Sequence, residues 1–113
     1  VDLASLSDRL ERISAGYAVR EGFTRDDDWF VLKLVEELGE LTQVQLARTG
    51  RGKDRGRDAE EVERRLTEEV ADVLGHVLLL ARRHGVDVEA AMDAKWLQWE
   101  RLYPPGPDAP ALP

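Results

Sequence analysis

Between Trp29 and Arg48 the chain spaces its apolar residues as an α-helix does, yet they do not fall on one stripe. At about 100° per residue, Leu34, Leu38 and Leu41 share a face, while Leu32, Val35 and Leu46 lie toward other sides. A helix that is apolar over most of its circumference must be covered from several directions. A chain of 113 residues has little to cover it with, because small domains bury only a modest fraction of their surface. The pattern therefore predicts a helical bundle completed by self-association, as a homodimer or homotetramer.

The rest of the sequence fills in an all-α, four-helix reading. Leu3, Leu6, Leu10, Ile13 and Tyr17 sit at helical spacing and mark a first helix to about Arg20. A polar break from Gly22 to Asp28 follows, with Asp28 as the expected N-cap of the second helix. The stretch from Thr49 to Arg57 is glycine-rich and basic, which predicts a flexible loop. A third helix starts near Ala59 and runs to about His84, with Gly85 placed to cap it. Val86 and Asp87 open a fourth, expected to end near Leu102 ahead of Pro104-Pro105-Gly106-Pro107. One domain over 1–103 and a disordered proline-rich tail over 104–113 are expected.

Composition narrows the function classes. A formal charge of −7 argues against non-specific nucleic-acid binding, which needs a cationic surface. The absence of cysteine excludes disulfides and thiolate chemistry. The most apolar run, Val77 to Ala81, is far too short for a bilayer span, and the charged residues from Asp2 onward do not resemble a signal peptide. A soluble, cytoplasmic protein that binds neither nucleic acid nor membrane is the expectation.

Five carboxylates stand out by position. Glu36, Glu37 and Glu40 form E-E-x-x-E on the second helix, and Glu69 and Asp72 form E-x-x-D on the third. Residues three or four apart project from one side of a helix, so Glu37 converges with Glu40 and Glu69 with Asp72. In projection Phe30, Leu34, Leu41 and Val44 surround Glu37, and Val73, Val77 and Leu80 flank Glu69, which puts these acids at the edge of a packing face. Like charges meeting beside a core raise one another's pKa, and partial burial adds to the cost. Divalent cations relieve both, and hard oxygen ligands without cysteine point to magnesium, with manganese as the alternative. Such acidic pairs are also common on solvated helices, and Glu60, Glu61, Glu63 and Glu68, interleaved with Arg64 and Arg65, read as that kind. Two motifs on consecutive helices, both bordering apolar stripes, favour the metal reading.

Cations and aromatics near these motifs carry two readings each. Lys95 projects with Val88, Met92, Trp99 and Leu102, either as a snorkelling side chain or as a cation for phosphate. Lys33, one turn before Glu37, is expected in a salt bridge and is a second phosphate-binding candidate. Arg51 is the third, within a basic segment of Arg48, Arg51, Lys53, Arg55 and Arg57 that is either a solvated loop or a flap over a polyphosphate. His76 is expected at the core edge in a hydrogen bond, with a metal role as the alternative. Trp29, Phe30, Tyr17, Trp96 and Trp99 are expected mostly in the core.

Lys33-Leu-Val-Glu-Glu-Leu-Gly-Glu-Leu41, then Glu68-Glu-Val-Ala-Asp-Val-Leu74, then Gly85-Val-Asp-Val-Glu89 leading to Lys95, closely resembles the MazG-like all-α nucleotide pyrophosphohydrolases. The resemblance covers about Tyr17 to Tyr103. It implies dimers or tetramers, magnesium at the carboxylates, and hydrolysis of a nucleoside triphosphate to a monophosphate and pyrophosphate. By motif, Glu37, Glu40, Glu69 and Asp72 would ligate metal, either Glu36 or Glu37 would polarise the attacking water, and Lys95 would contact phosphate. Many relatives carry an asparagine four residues after that lysine, where this chain has Trp99. Two alternatives stay open: hydrolysis of phosphoribosyl-ATP, and a non-catalytic, metal-stapled module for oligomerisation or nucleotide sensing.

Overall fold

The computed structural model describes residues 2–106, all in helices, turns and loops with no strand among them. Four α-helices follow one another, α1 (Leu3–Glu21), α2 (Asp27–Arg48), α3 (Ala59–Arg83) and α4 (Val88–Lys95), and a 3-10 helix (Leu97–Leu102) closes the sequence of elements. Each α-helix begins on an aspartate. Asp2, Asp26, Asp58 and Asp87 each accept a hydrogen bond from the backbone N–H three residues on, at 2.7, 2.8, 2.9 and 3.1 Å. Such a cap satisfies an otherwise orphaned donor and contributes about 1 kcal/mol. The cap of α2 is thus Asp26, not Asp28. Asp27 and Asp28 instead occupy the first turn, where negative charge meets the positive end of the helix dipole. At the far end of α3 the chain turns through Gly85 at φ 66°, the expected left-handed glycine.

The α2–α3 pair is the body of the fold. Arg48 at the end of α2 pairs with Glu63 at the start of α3, and Asp27 at the start of α2 pairs with Arg83 at the end of α3. The two helices therefore run antiparallel along their whole length. The buried apolar residues are Phe30 and Val44 of α2, Val62, Leu78 and Leu79 of α3, and Ala18 of α1. Phe30 carries the end nearest α1: its ring meets the Trp29 ring edge-on and lies under the guanidinium groups of Arg25 and Arg83. Arg25 holds Glu11 of α1 by two hydrogen bonds, 2.9 and 2.7 Å, and reaches Ser14 as well. This fork keeps the Glu11 carboxyl below its ordinary pKa and ties the α1–α2 connection to α1. Along α3, α1 is fixed further by the Arg82–Asp8 pair.

The C-terminal region departs from the sequence expectation. In place of one helix to Leu102, α4 stops at Lys95, Trp96 takes φ −109° and ψ −48°, and six residues of 3-10 helix follow. No residue of either element is buried, so nothing offsets the poor intrinsic stability of an eight-residue helix. Trp96 and Trp99 are 66% and 50% exposed rather than in the core. Pro104–Gly106 have no regular structure, and the rest of the expected disordered tail, 107–113, lies outside the described residues.

The expectation that α2 lacks full cover is met within a single chain. Val31, Leu32, Val35, Leu38 and Leu46 are exposed on α2, as are Val70, Leu74 and Val77 on α3. The radius of gyration, 17.4 Å, exceeds the roughly 13 Å of a compact 100-residue domain. No described helix is long and apolar enough to cross a membrane.

Phe30 is 2% exposed and joins α2 to both neighbouring helices. Phe30→Ala should lower the unfolding free energy in urea by about 3 kcal/mol. A loss below about 1 kcal/mol would show that this end of the core does not hold the helices together.

Candidate metal centre

Midway along the antiparallel pair, α2 and α3 bring acids face to face. Glu37 and Glu40 occupy successive turns of α2, and Glu69 lies opposite on α3. Each offers a carboxylate oxygen, and these three atoms all lie within 4.8 Å of one another. Glu69 is 1% exposed and Glu37 7%, as deep as the apolar core around them. Glu40 is half-buried, so the group opens toward solvent on its side. Asp72, one turn beyond Glu69, is exposed and stands outside this trio, although its charge acts on Glu37 and Glu69.

Burial of these acids is poorly compensated. Desolvation first, then the neighbouring charges of Glu40 and Asp72, push the Glu37 carboxyl above its ordinary value, and Lys33 offsets only part. Glu69 is raised in the same way, chiefly by desolvation, against the opposing pull of Arg65. One oxygen of each, Oε2 of Glu37 and Oε2 of Glu69, is buried with no hydrogen-bond donor. A buried unpaired acceptor costs about 1–3 kcal/mol, and more when charged. Two stranded oxygens from facing helices, beside a third half-buried carboxylate, are the chemistry of a hard-cation site. The donor set is all carboxylate oxygen, the ligand type that hard cations take.

Lys33 makes the expected salt bridges, with its Nζ 3.4 Å from Glu36 and 3.5 Å from Glu37. Burial pulls its pKa down, but Glu36 and Glu37 outweigh that and raise it. Glu36 is exposed and takes no place in the trio, which distinguishes the two acids of the doublet. His76 sits at the core edge as expected but makes no side-chain hydrogen bond, and its Nδ1 is buried and unpaired. Its Nε2 lies 4.0 Å from Glu37, and its ring meets Trp29 edge-on. Desolvation, then Lys33, lowers its pKa, so it is neutral near pH 7.

Two of the three phosphate-binding candidates are not gathered here. Lys95 is exposed on α4, which packs little against α2 and α3, and it joins none of the ion pairs of the cluster. Arg51 is exposed on the loop, where its backbone N–H bonds the end of α2. The cation that sequence reasoning assigned to a solvated face is Arg65. Its Nη1 donates to Glu68 as expected, but its Nη2 donates to Glu69 at 2.5 Å. The i,i+4 spacing from Arg65 to Glu69 carried that signal, and the equally spaced solvated pairs around it masked it.

No protein-family model, curated protein or solved structure matches this chain.

Raised carboxyl pKa values have a defined thermodynamic sign. The folded chain binds protons at Glu37 and Glu69 more tightly than the unfolded chain, so their contribution to stability falls as pH rises from the ordinary value of 4.5 through the raised ones. In chelator, Glu69→Gln should therefore be more stable than the parent at pH 7.5 and show a shallower decline above about pH 4.5. Equal pH slopes in urea titrations would remove the case for strained acids.

Proposed function

We propose that the protein is a magnesium-dependent nucleotide pyrophosphohydrolase of the MazG-like kind, cleaving a nucleoside triphosphate to a monophosphate and pyrophosphate. The observation that carries this reading is the pair of buried, donorless carboxylate oxygens on facing helices, with Glu40 beside them and open to solvent. The motif resemblance over Tyr17 to Tyr103 supports the same site and supplies the reaction class.

Glu37, Glu40 and Glu69 would hold the cation, with Asp72 completing the set from the next turn of α3. Bound there, magnesium would neutralise charge on the phosphate oxygens and so ease attack at phosphorus. The doublet divides its labour. Glu37 is committed to the buried trio, while exposed Glu36, tethered by the same ammonium group, orients a water and takes its proton. The water oxygen bonds to the α-phosphorus as the bridge to the β-phosphate breaks, and pyrophosphate leaves with the bonding pair. Lys33 and Arg65 offset negative charge at either end of the acids.

A second copy of this chain is the partner that fits the uncovered faces. Val31, Val35 and Leu38 follow one another along α2, and Val70, Leu74 and Val77 along α3, at spacings of one helical turn. These stripes are aliphatic and uncharged, which suits an obligate homo-oligomer better than a transient partner. Leu74→Glu should convert a dimer or tetramer to monomer in size-exclusion chromatography with light scattering. A parent chain that is already a stable monomer at micromolar concentration would refute the association.

For the activity, the parent chain is screened for magnesium-dependent pyrophosphate release over canonical and damaged nucleoside triphosphates and phosphoribosyl-ATP. Glu40→Ala and Asp72→Ala should each lose roughly 100-fold or more in kcat/KM, the scale of removing one group that stabilises transition-state charge, with helicity unchanged. Normal turnover in both variants would refute the assignment. Strong thermal stabilisation by magnesium, without turnover on any substrate, would instead mark a metal-stapled module.

A further inference from the structure

We propose that the α2–α3 loop and Arg65 form an oligophosphate subsite that receives the distal phosphates of the substrate. It rests on the reading of the carboxylate trio as the cleavage centre, and it fixes which end of the substrate lies where.

A small cleft of about 130 Å³ opens beside the acids, lined by Glu40, Arg65, Lys53, Arg55 and Arg57 over an apolar floor that includes Val44. Whole-ligand pockets run to ~300–1,000 Å³, so this one suits phosphate groups rather than a base and sugar. Glu40 belongs to both the trio and the cleft, which makes the two contiguous.

Three of the four cations lining the cleft are unspent. Among the described residues Arg20, Arg25, Lys33, Arg48, Arg64, Arg65, Arg82 and Arg83 have a carboxylate partner, whereas Lys53, Arg55 and Arg57, like Arg9, Arg12, Arg51, Lys95 and Arg101, have none. What sets Lys53, Arg55 and Arg57 apart from the other unpaired cations is that all three line one cleft, in a chain of net charge −7. The one acid within the loop, Asp54, is engaged with the backbone: its side chain accepts from the Gly56 N–H. Arg65 links the two sites, donating to Glu69 while its own Nε is buried without a partner.

The backbone holds the loop over the cleft. The N–H groups of Arg51 and Gly52 both donate to the Leu46 carbonyl, folding the chain back on the end of α2. A Cβ at residue 52 would come within 3.0 Å of the Leu46 Cβ and 3.3 Å of the Ala47 nitrogen, so glycine permits the close approach. That reversal carries residues 53–57 across Val44 and Ala47 and leaves Arg51 outside. Along the α2–α3 pair the order is Trp29 and His76, then the acids, then the basic cleft. A triphosphate cleaved at the acids leaves its pyrophosphate half on the cleft side. The substrate class is therefore one with at least two phosphates beyond the scissile bond.

The test is calorimetric titration of inorganic tripolyphosphate and pyrophosphate into the full chain with magnesium, comparing the parent, K53A/R55A/R57A, and a control, R9A/R12A/R101A, that removes as many cations elsewhere. The loop variant should bind both anions about 10-fold more weakly, the sum of three exposed charges at ~0.5 kcal/mol each, with the melting temperature and the magnesium stabilisation unchanged. The control should match the parent. Equal weakening in both variants, or none in the loop variant, overturns the subsite. Loop-dependent binding without cleavage of any nucleotide would keep the subsite and refute the hydrolase reading. Cleavage with a KM indifferent to the loop would do the reverse.

Discussion

Two glutamates are buried between α2 and α3 at a depth normally reserved for leucine, and each leaves one oxygen without a partner. Desolvation and mutual repulsion work against every ionised state of this group. The helices must therefore be held together elsewhere. Apolar contacts lie on both sides of the acids, with Phe30 and Leu79 toward one end and Val44 and Val62 toward the other. Ion pairs at each end add little individually but set the register. The acids thus sit in a frame that can afford them, which is how strain is commonly stored at functional sites.

The neighbouring cations show how the frame avoids neutralising its own site. Lys33 and Arg65 each touch one buried glutamate, from opposite ends of the cluster, and each is shared with an exposed acid, Glu36 or Glu68. Each therefore delivers only part of its charge. That leaves Oε2 of both glutamates without a partner, with Glu40 alongside. Complete internal salt bridges would have left no buried carboxylate oxygen unpartnered.

Much of this was legible in the sequence because helical periodicity fixes which residues share a side. The pairs Glu37–Glu40 and Glu69–Asp72 follow from spacing alone, as do the helix bodies and the incomplete cover of α2. What periodicity does not carry is how far a pattern persists. Three consecutive aspartates offer three chemically equivalent caps, and the backbone chose Asp26. The stripe through Val88, Met92, Lys95, Trp99 and Leu102 presumes unbroken α-helix, and the break at Trp96 cuts Trp99 and Leu102 away from the three that stay on α4. Asp72 shares a side with Glu69, yet one turn further along α3 it is exposed while Glu69 is buried. The loop was legible as basic but not as folded, because its reversal depends on Gly52 lying against Leu46, a contact between residues with no periodic relation.

The distribution of apolar and acidic residues on α2 ties the site to the surface. Glu37 faces the interior while the adjacent Leu38 faces out, and Val35 and Leu46 are exposed on the same helix. Closer approach of α2 to α3 would bring Glu37 and Glu40 nearer to Glu69. The acids resist that approach, because closer packing strengthens their repulsion and deepens their desolvation. A cation between them would reverse the sign, since shorter oxygen distances would then favour binding. The apolar residues left uncovered and the acids gathered toward α3 are therefore different faces of a single helix.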